Sequence, residues 1–169
     1  MLKREMYLKR LEMYTGRDVV KIMTGVRRCG KTVIMKQFMD ELRENGVPDE
    51  NIIYLDFEKL IYNYFTSEAA LREMLLEFLG AAAGHCYVFL DEVEDIKGWA
   101  KVCSELLNLF DCDVYVSSSN ASLFYDGFQK DLSYRYVRID VYPLIFSEFV
   151  ELASTDEKLS GLSDEELFE

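Results

Sequence analysis

The sequence predicts a three-layer α/β domain in which helices cover both faces of a parallel β-sheet. Short apolar runs alternate with longer segments whose apolar residues recur at helical spacing. One run, residues 87–90, is apolar throughout, as expected of a strand that is covered on both faces. Strands separated by helices pair in parallel through right-handed crossovers.

The elements follow in order along the chain. A helix is predicted over about residues 3–14, and strands are predicted over residues 19–23, 52–55, 87–90, 114–116 and 136–139. Three further helices are predicted from apolar residues three and four positions apart, on faces formed by Met35, Phe38, Met39 and Leu42, by Leu71, Met74, Leu75 and Phe78, and by Trp99, Val102, Cys103 and Leu106. Trp99 is expected to anchor its helix on the core.

The length fits one domain of ordinary size, and residues 1–152 are expected to form it. The chain has 169 residues, half of them hydrophobic, which is enough to bury a core. No apolar run of about 18 residues is present to span a membrane, and the N-terminus lacks the apolar region of a signal peptide. We therefore expect a cytoplasmic protein without a transmembrane segment.

The cysteines and the single histidine do not suggest a metal site. The four cysteines form no CxxC pair, which argues against structural zinc. Cys86, Cys103 and Cys112 are predicted to be buried reduced thiols. His85 directly precedes a strand and is predicted to be a loop or capping residue.

The net charge of −12 is unevenly distributed. Residues 1–31 contain nine Lys/Arg and three Asp/Glu, so the strongly acidic remainder carries −18. An acidic body gives no strong nucleic-acid signal, because phosphate contacts supply most non-specific affinity.

Residues 153–169 are predicted to begin a further C-terminal region. Residues 151–169 contain seven acidic residues and one lysine. Residues 163–166 form a capping box, which announces a helix, but only three residues follow it. We expect that the chain has been cut from a longer protein; the alternative is a frayed natural terminus.

Residues 25–32 match the phosphate-loop pattern GxxxxGK[ST], with a predicted strand before them and a helix after them. Glycines let consecutive N–H groups point inward, and these groups and the helix N-terminus favour an anion. Lys31 is expected to reach the β- and γ-phosphates of ATP, and the Thr32 hydroxyl to bind Mg²⁺. The predicted nucleotide-binding residues are Gly25, Val26, Arg27, Arg28, Cys29, Gly30, Lys31, Thr32 and Val33.

Asp91 and Glu92 follow the apolar strand at its carboxyl end, where ligands bind in open α/β sheets. Asp91 is the second expected Mg²⁺ ligand, through a water molecule. Glu92 is the candidate general base that activates the attacking water. An adjacent Asp–Glu pair also favours direct hydrolysis over phosphoryl transfer to a small molecule.

Two further residues are candidates for the reaction. Asn120, after the fourth strand, is predicted either to sense the γ-phosphate or to cap a helix over residues 121–126, since Asn is a favoured N-cap. Transition-state charge usually needs an arginine, in cis or in trans. Among Arg27, Arg28, Arg135 and Arg138, we favour Arg135, which opens the fifth strand where a subunit edge can lie.

These segments together resemble the prokaryotic AAA+ family ATPases. The resemblance covers residues 3–152 and is carried, in order, by residues 24–32, 51–54, 89–93, 119–121, 135–137, 142–144 and 146–149. It implies the sheet order 5-1-4-3-2, a longer C-terminal region, a sensor role for Asn120 and an arginine role for Arg135. The chain departs from the family pattern at Tyr134, where glycine is usual, and at Glu94, where glutamine is usual and a charge is added near the magnesium.

Three functions are compatible with these residues. The first is Mg²⁺-dependent ATP hydrolysis that drives a conformational cycle in a C-terminal effector region. The second is a nucleotide-dependent switch or scaffold with negligible hydrolysis. The third, a small-molecule kinase, is disfavoured by the Asp–Glu pair. The expected partners are nucleotide and a second copy of the chain in a homo-oligomer.

Overall fold

The computed structural model describes residues 2–59, 67–120, 127–145 and 148–150. Its strands are Val20–Thr24 (β1), Ile52–Asp56 (β2), Cys86–Asp91 (β3), Cys112–Ser118 (β4) and Tyr136–Asp140 (β5). Its α-helices are Glu5–Met13 (α1), Lys31–Glu44 (α2), Glu68–Ala81 (α3), Trp99–Leu109 (α4) and Phe128–Asp131 (α5), and Asp49–Asn51 form a 3₁₀ turn.

The five strands form one parallel sheet in the order β2-β3-β4-β1-β5. This confirms the predicted order, read from the other edge. β1 lies between β4 and β5, with Met23 opposite Ser117 and Thr24 opposite Asp140. Because all strands run the same way, the turn after β1 and the residues that end β3 and β4 meet on one side of the sheet, at the carboxyl ends of the strands.

Each face of the sheet carries its own hydrophobic core, which confirms the predicted three layers. One core joins α3, α4 and α5 to alternate strand residues such as Ile22, Val88 and Val116. The other joins α1 and α2 to the intervening positions, including Met23 and Phe89. The two-residue period of each strand therefore divides its side chains between the two layers.

The predicted face of α3 needs one correction. Leu71, Leu75 and Leu79 are buried on it, whereas Phe78 is 47% exposed. The i, i+4, i+8 spacing of the leucines keeps them on one side of the helix, and Phe78 falls to one flank. Trp99 is buried at the start of α4, as predicted.

All four cysteines are free and buried, as predicted for three of them. Among the described residues, none of the helices is long and apolar enough to cross a membrane. The predicted helix over residues 121–126, the capping box at 163–166 and the acidic segment 153–169 lie outside the described residues.

Candidate functional site

Two glycines shape the turn that connects β1 to α2, residues 25–30, which we call the phosphate turn after its sequence pattern. An ideal Cβ on Gly25 would lie 2.1 Å from the Val141 carbonyl oxygen, so any side chain there would displace backbone. Gly30 has φ of +101° and directly precedes Lys31, the first residue of α2. The turn and the N-terminus of α2 together form the kind of concavity that favours an anion.

Lys31 lies across the mouth of this turn. Its side chain is 2% exposed, and its Nζ lies 3.0 Å from Glu92 Oε1. Nζ also donates hydrogen bonds to the Gly25 carbonyl at 3.1 Å and to Ser119 Oγ at 2.7 Å. These three oxygens hold the ammonium group where an anion in the turn would meet it.

Asp91 ends β3 and is almost completely buried. Its carboxylate accepts hydrogen bonds from the Ser117 hydroxyl and from the Tyr54 hydroxyl at 2.9 Å, and the Thr32 side chain lies beside it. Burial raises the pKa of Asp91, and its interactions with Ser117, Thr32 and Tyr54 act in the opposite direction.

The contact between Thr32 and Asp91 fits a magnesium ion. A hydroxyl and a carboxylate are both hard oxygen donors, and Mg²⁺ typically binds through one or two carboxylates, with phosphate oxygens and water completing the shell. Thr32 is the second residue of α2, next to Lys31, so a metal held here would lie beside the phosphate turn.

Glu92 leaves the sheet in a left-handed backbone conformation, with φ of +58°. Its N–H donates to Ser117 Oγ at 3.0 Å, and its carboxylate accepts from the Ser119 N–H and hydroxyl at 2.9 and 2.8 Å. Burial alone would raise the pKa of Glu92, but hydrogen bonds from Lys31 and Ser119 and the charge of Lys31 hold it below its ordinary value. The carboxylate is therefore ionised at neutral pH.

Two adjacent clefts open onto these groups. One of about 470 Å³ is lined by Arg27, Arg28, Gly30, Lys31, Thr32, Val33, Glu58 and Glu92. The other, of about 560 Å³, is lined by Arg27, Phe57, Glu58, Glu92, Glu94, Asp95, Ser119 and Asn120. Their sizes suit a small-molecule ligand.

The surroundings of Glu94 disfavour the negative charge that the sequence predicts at this position. Its Oε2 is buried and finds no hydrogen-bond partner within the described part of the chain. Burial and the neighbouring charge of Glu92 raise the pKa of Glu94. Glu94 therefore takes up a proton more readily than an exposed glutamate.

Asn120 lines the larger cleft, next to Ser119. Its N–H donates to Ser118 Oγ at 3.0 Å. Ser119 contacts the charged pair directly, because its hydroxyl bonds both Lys31 and Glu92. The helix that Asn120 was predicted to cap lies outside the described residues.

The structure does not bring Arg135 to this site within one chain. Its carbonyl accepts from Val20 N–H where β1 begins, so it lies at the opposite end of β1 from the turn, roughly 13 Å away by strand rise. Its guanidinium donates to both carboxylate oxygens of Asp18 and also to Ser104 and Asn108. Arg27, by contrast, lines both clefts and pairs with Glu58 at 2.6 Å.

Sequence reasoning missed Tyr54 and Ser117, the two hydroxyl donors to Asp91 from neighbouring strands. Tyr54 pairs with Phe89 in the register of β2 and β3, so Asp91 is two residues further along on the same face. Each of these residues carries a hydroxyl near the carboxyl end of a predicted strand. Recognising them as partners of Asp91 required the register of the strands, which the sequence does not show.

A phosphate turn, a buried lysine and a hydroxyl–carboxylate pair at the carboxyl edge of a parallel sheet define a P-loop nucleotide-binding domain. The family model described as "AAA domain" matches residues 17–150. The chain belongs to this family of AAA-type P-loop ATPase domains, which confirms the resemblance found in the sequence.

Two relatives match over most of the chain. An uncharacterized protein of Haemophilus influenzae is 35% identical over 156 residues, covering 92% of this chain and 39% of the relative. The uncharacterized protein MJ1544 of Methanocaldococcus jannaschii is 24% identical over 144 residues, covering 82% of this chain and 30% of the relative. The chain thus spans less than half the length of either relative.

Solved structures show the same fold at low sequence identity. The Walker-type ATPase PABY2304 of Pyrococcus abyssi has a TM-score of 0.67 at 14% identity, over 96% of this chain and 60% of that one. The Orc1 protein of Aeropyrum pernix, solved in complex with DNA, has a TM-score of 0.64 at 15% identity, over 92% of this chain and 49% of that one.

Proposed function

We propose that this domain binds ATP with Mg²⁺ and hydrolyses it, and that its nucleotide state is coupled to a C-terminal effector region. The observation that carries the proposal is the convergence of Lys31, Thr32 and Glu92 on adjoining clefts. Asp91 is buried beside Thr32. Family membership supports an ATPase domain, and the greater length of the relatives supports a further region on which the cycle acts.

Each group has a role that its position favours. The phosphates of ATP enter the turn, and Lys31 exchanges its protein oxygens for β- and γ-phosphate oxygens. Thr32 and Asp91 would hold Mg²⁺, which neutralises charge on the transferred phosphoryl group. Glu92 orients the attacking water and accepts its proton.

The Lys31–Glu92 contact suggests an order of events in the proposed reaction. While Lys31 faces Glu92, the pKa of Glu92 is held down and the carboxylate is a weak base. When Lys31 turns to phosphate, Glu92 loses this contact and keeps its hydrogen bonds from Ser119. We expect this exchange to free the Glu92 carboxylate to meet the attacking water once the nucleotide is in place.

Asn120 is the proposed γ-phosphate sensor, because it lines the cleft that contains Glu92. Arg27 is the arginine of the same chain that lines both clefts and so can meet developing charge. Arg135 can serve only the site of a second copy in a homo-oligomer, and its role stays a prediction.

The first test compares wild type with Glu92→Gln, using ATP binding and phosphate release as separate measurements. We expect the variant to bind ATP about as tightly and to release phosphate about 100-fold more slowly or worse, since a positioned general base contributes roughly 10²–10⁴ in rate. Glu77→Gln, on the exposed side of α3, is the matched control and should keep the wild-type rate.

The two measurements separate the remaining functions. If wild type binds ATP but releases phosphate no faster than Glu92→Gln, the domain is a nucleotide-dependent switch and the hydrolysis proposal is wrong. If wild type does not bind ATP, the whole proposal fails.

A further inference from the structure

Arg4 is a buried arginine that the proposed reaction does not use. It directly precedes α1 and is 5% exposed. A guanidinium group this deeply buried needs partners for its donors, because an unpaired buried charge is costly. Its partners lie on two segments that are far from it in sequence.

The first partner is the phosphate turn. Arg4 Nη1 donates to the Cys29 carbonyl at 2.9 Å and would lie 3.6 Å from an ideal Cβ on Gly30. The Cys29 carbonyl belongs to the same peptide unit as the Gly30 N–H. A donor on that carbonyl polarises the unit and makes the N–H a stronger donor to an anion. Arg4 thus contacts the turn through a carbonyl, while the N–H of the same peptide unit remains available to an anion.

The second partner lies beyond β5. Arg4 Nε and Nη2 each donate to one oxygen of Glu148 at 3.1 Å, a bidentate pair. Glu148 Oε2 also accepts the Ile145 N–H at 2.9 Å. Glu148 therefore links the Arg4 guanidinium to the backbone of the segment that follows β5.

Arg4 is also anchored to the layer of α1 and α2. Its own N–H donates to Gln37 Oε1 at 3.3 Å, and Gln37 Nε2 donates to the Leu2 carbonyl at 2.6 Å. The guanidinium lies 4.6 Å from the centre of the Tyr7 ring. These contacts hold the Arg4 backbone in place. If the turn shifted, the guanidinium group would therefore reorient, and its contact with Glu148 would change.

We propose that Arg4 positions the phosphate turn and, through its pairing with Glu148, transmits occupancy of the turn to the chain that follows β5. This rests on the proposed function, because it requires that ATP binds at the turn. It adds a physical route from the nucleotide to the segment that precedes any effector region.

The test measures ATP affinity in the 169-residue chain and in Arg4→Ala, Arg4→Lys and Glu148→Gln. We expect Arg4→Ala to bind ATP about tenfold more weakly, because the turn loses the charged donor that holds the Cys29 carbonyl. Arg4→Lys should recover part of that affinity, because it keeps the charge without the fork that bridges two partners. Arg10→Ala, an exposed arginine on α1, is the matched control and should bind as wild type does.

A second measurement follows hydrogen exchange at the Ile145 amide, with and without ATP and Mg²⁺. In wild type, ATP should change the exchange rate of this amide. In Arg4→Lys and Glu148→Gln the change should be lost, although both variants still bind ATP. Thermal unfolding of each variant without nucleotide shows whether affinity is lost because the fold is lost.

The outcomes distinguish the two proposals. If Arg4→Ala is folded and binds ATP as tightly as wild type, or if the Ile145 amide responds to ATP equally in Glu148→Gln, the inference on Arg4 is overturned and ATP binding stands. If wild type itself does not bind ATP, both proposals are overturned.

Discussion

The two ends of the central sheet each hold a lysine paired with a carboxylate, but in different surroundings. At the carboxyl end, Lys31 faces Glu92. At the amino end, Lys21 on β1 faces Asp113 on β4. Both lysines are buried, so burial by itself does not separate a functional pair from a structural one.

The pair at the amino end is closed by protein on every side. Lys21 also donates to the Arg17 carbonyl at 3.1 Å. Asp113 accepts from the Gly16 N–H at 2.8 Å and contacts the His85 ring at 2.9 Å. Burial lowers the pKa of Lys21, although Asp113 opposes this. These contacts tie the turn that follows α1 to the sheet.

The pair at the carboxyl end faces a cleft of about 470 Å³. The oxygens around Lys31 come from a turn carbonyl, a serine hydroxyl and Glu92, and phosphate oxygens can replace all three. Access to a cleft, together with partners that a ligand can replace, separates the pair proposed to bind nucleotide from the structural pair. The substitutions below test this distinction, beginning with the largest expected effect.

Lys21→Met should destabilise the fold by about 3–5 kcal/mol, because it leaves Asp113 buried without its partner. Urea unfolding measures this change. ATP affinity, measured under conditions where the variant is folded, should stay within about twofold of wild type, a difference well below 1 kcal/mol. A large loss of affinity in folded protein would show that the two ends are not independent.

Lys31→Met should have the opposite profile. ATP affinity should fall about 100-fold, since charge-assisted contacts with phosphate are the strong ones. The free energy of unfolding should fall by less than in Lys21→Met, because Glu92 keeps its two hydrogen bonds from Ser119 and is 10% exposed, whereas Asp113 is 1% exposed. The same urea and nucleotide titrations serve, and a loss of stability as large as that of Lys21→Met would contradict the comparison.

The smallest expected effect is the contribution of His85 to stability, which should depend on pH and should not reach the nucleotide site. Burial disfavours its protonated ring, but hydrogen bonds and charges from Asp111 and Asp113 outweigh this and raise its pKa. The stabilisation is complete below the ordinary histidine pKa and is lost as pH rises through the higher folded value. Since the ring is 31% exposed, we expect a few tenths of a kcal/mol.

Urea unfolding of wild type and His85→Gln across pH 5–8 measures this effect. The difference in unfolding free energy between the two should shrink as pH rises, and ATP affinity should not follow it. A difference that is constant with pH would show that His85 contributes no proton-linked stability.

The sequence predicted the parts of this molecule that are local. Apolar runs marked the strands, and one contiguous motif marked the phosphate turn. Arg4 could not be found in this way, because its partners Cys29 and Glu148 are 25 and 144 residues away. Tyr54 likewise depends on the register between β2 and β3.

Arg135 shows what strand direction adds to such reasoning. The residue was correctly predicted to open the fifth strand, which begins at Tyr136. In a parallel sheet, however, the start of a strand lies at the edge opposite to the one where the phosphate turn emerges. The predicted topology already contained this distance, and applying it would have favoured Arg27 within one chain.

The close approach of Gly25 to the Val141 carbonyl has a consequence for comparing related sequences. Glycine is required there by the backbone that follows β5, whether or not a nucleotide ever binds. A descendant that had lost its chemistry would still be selected to keep Gly25, while Lys31 and Glu92 would be free to drift. A glycine at this position therefore reports inheritance of the fold, whereas the lysine and the glutamate would report the proposed activity.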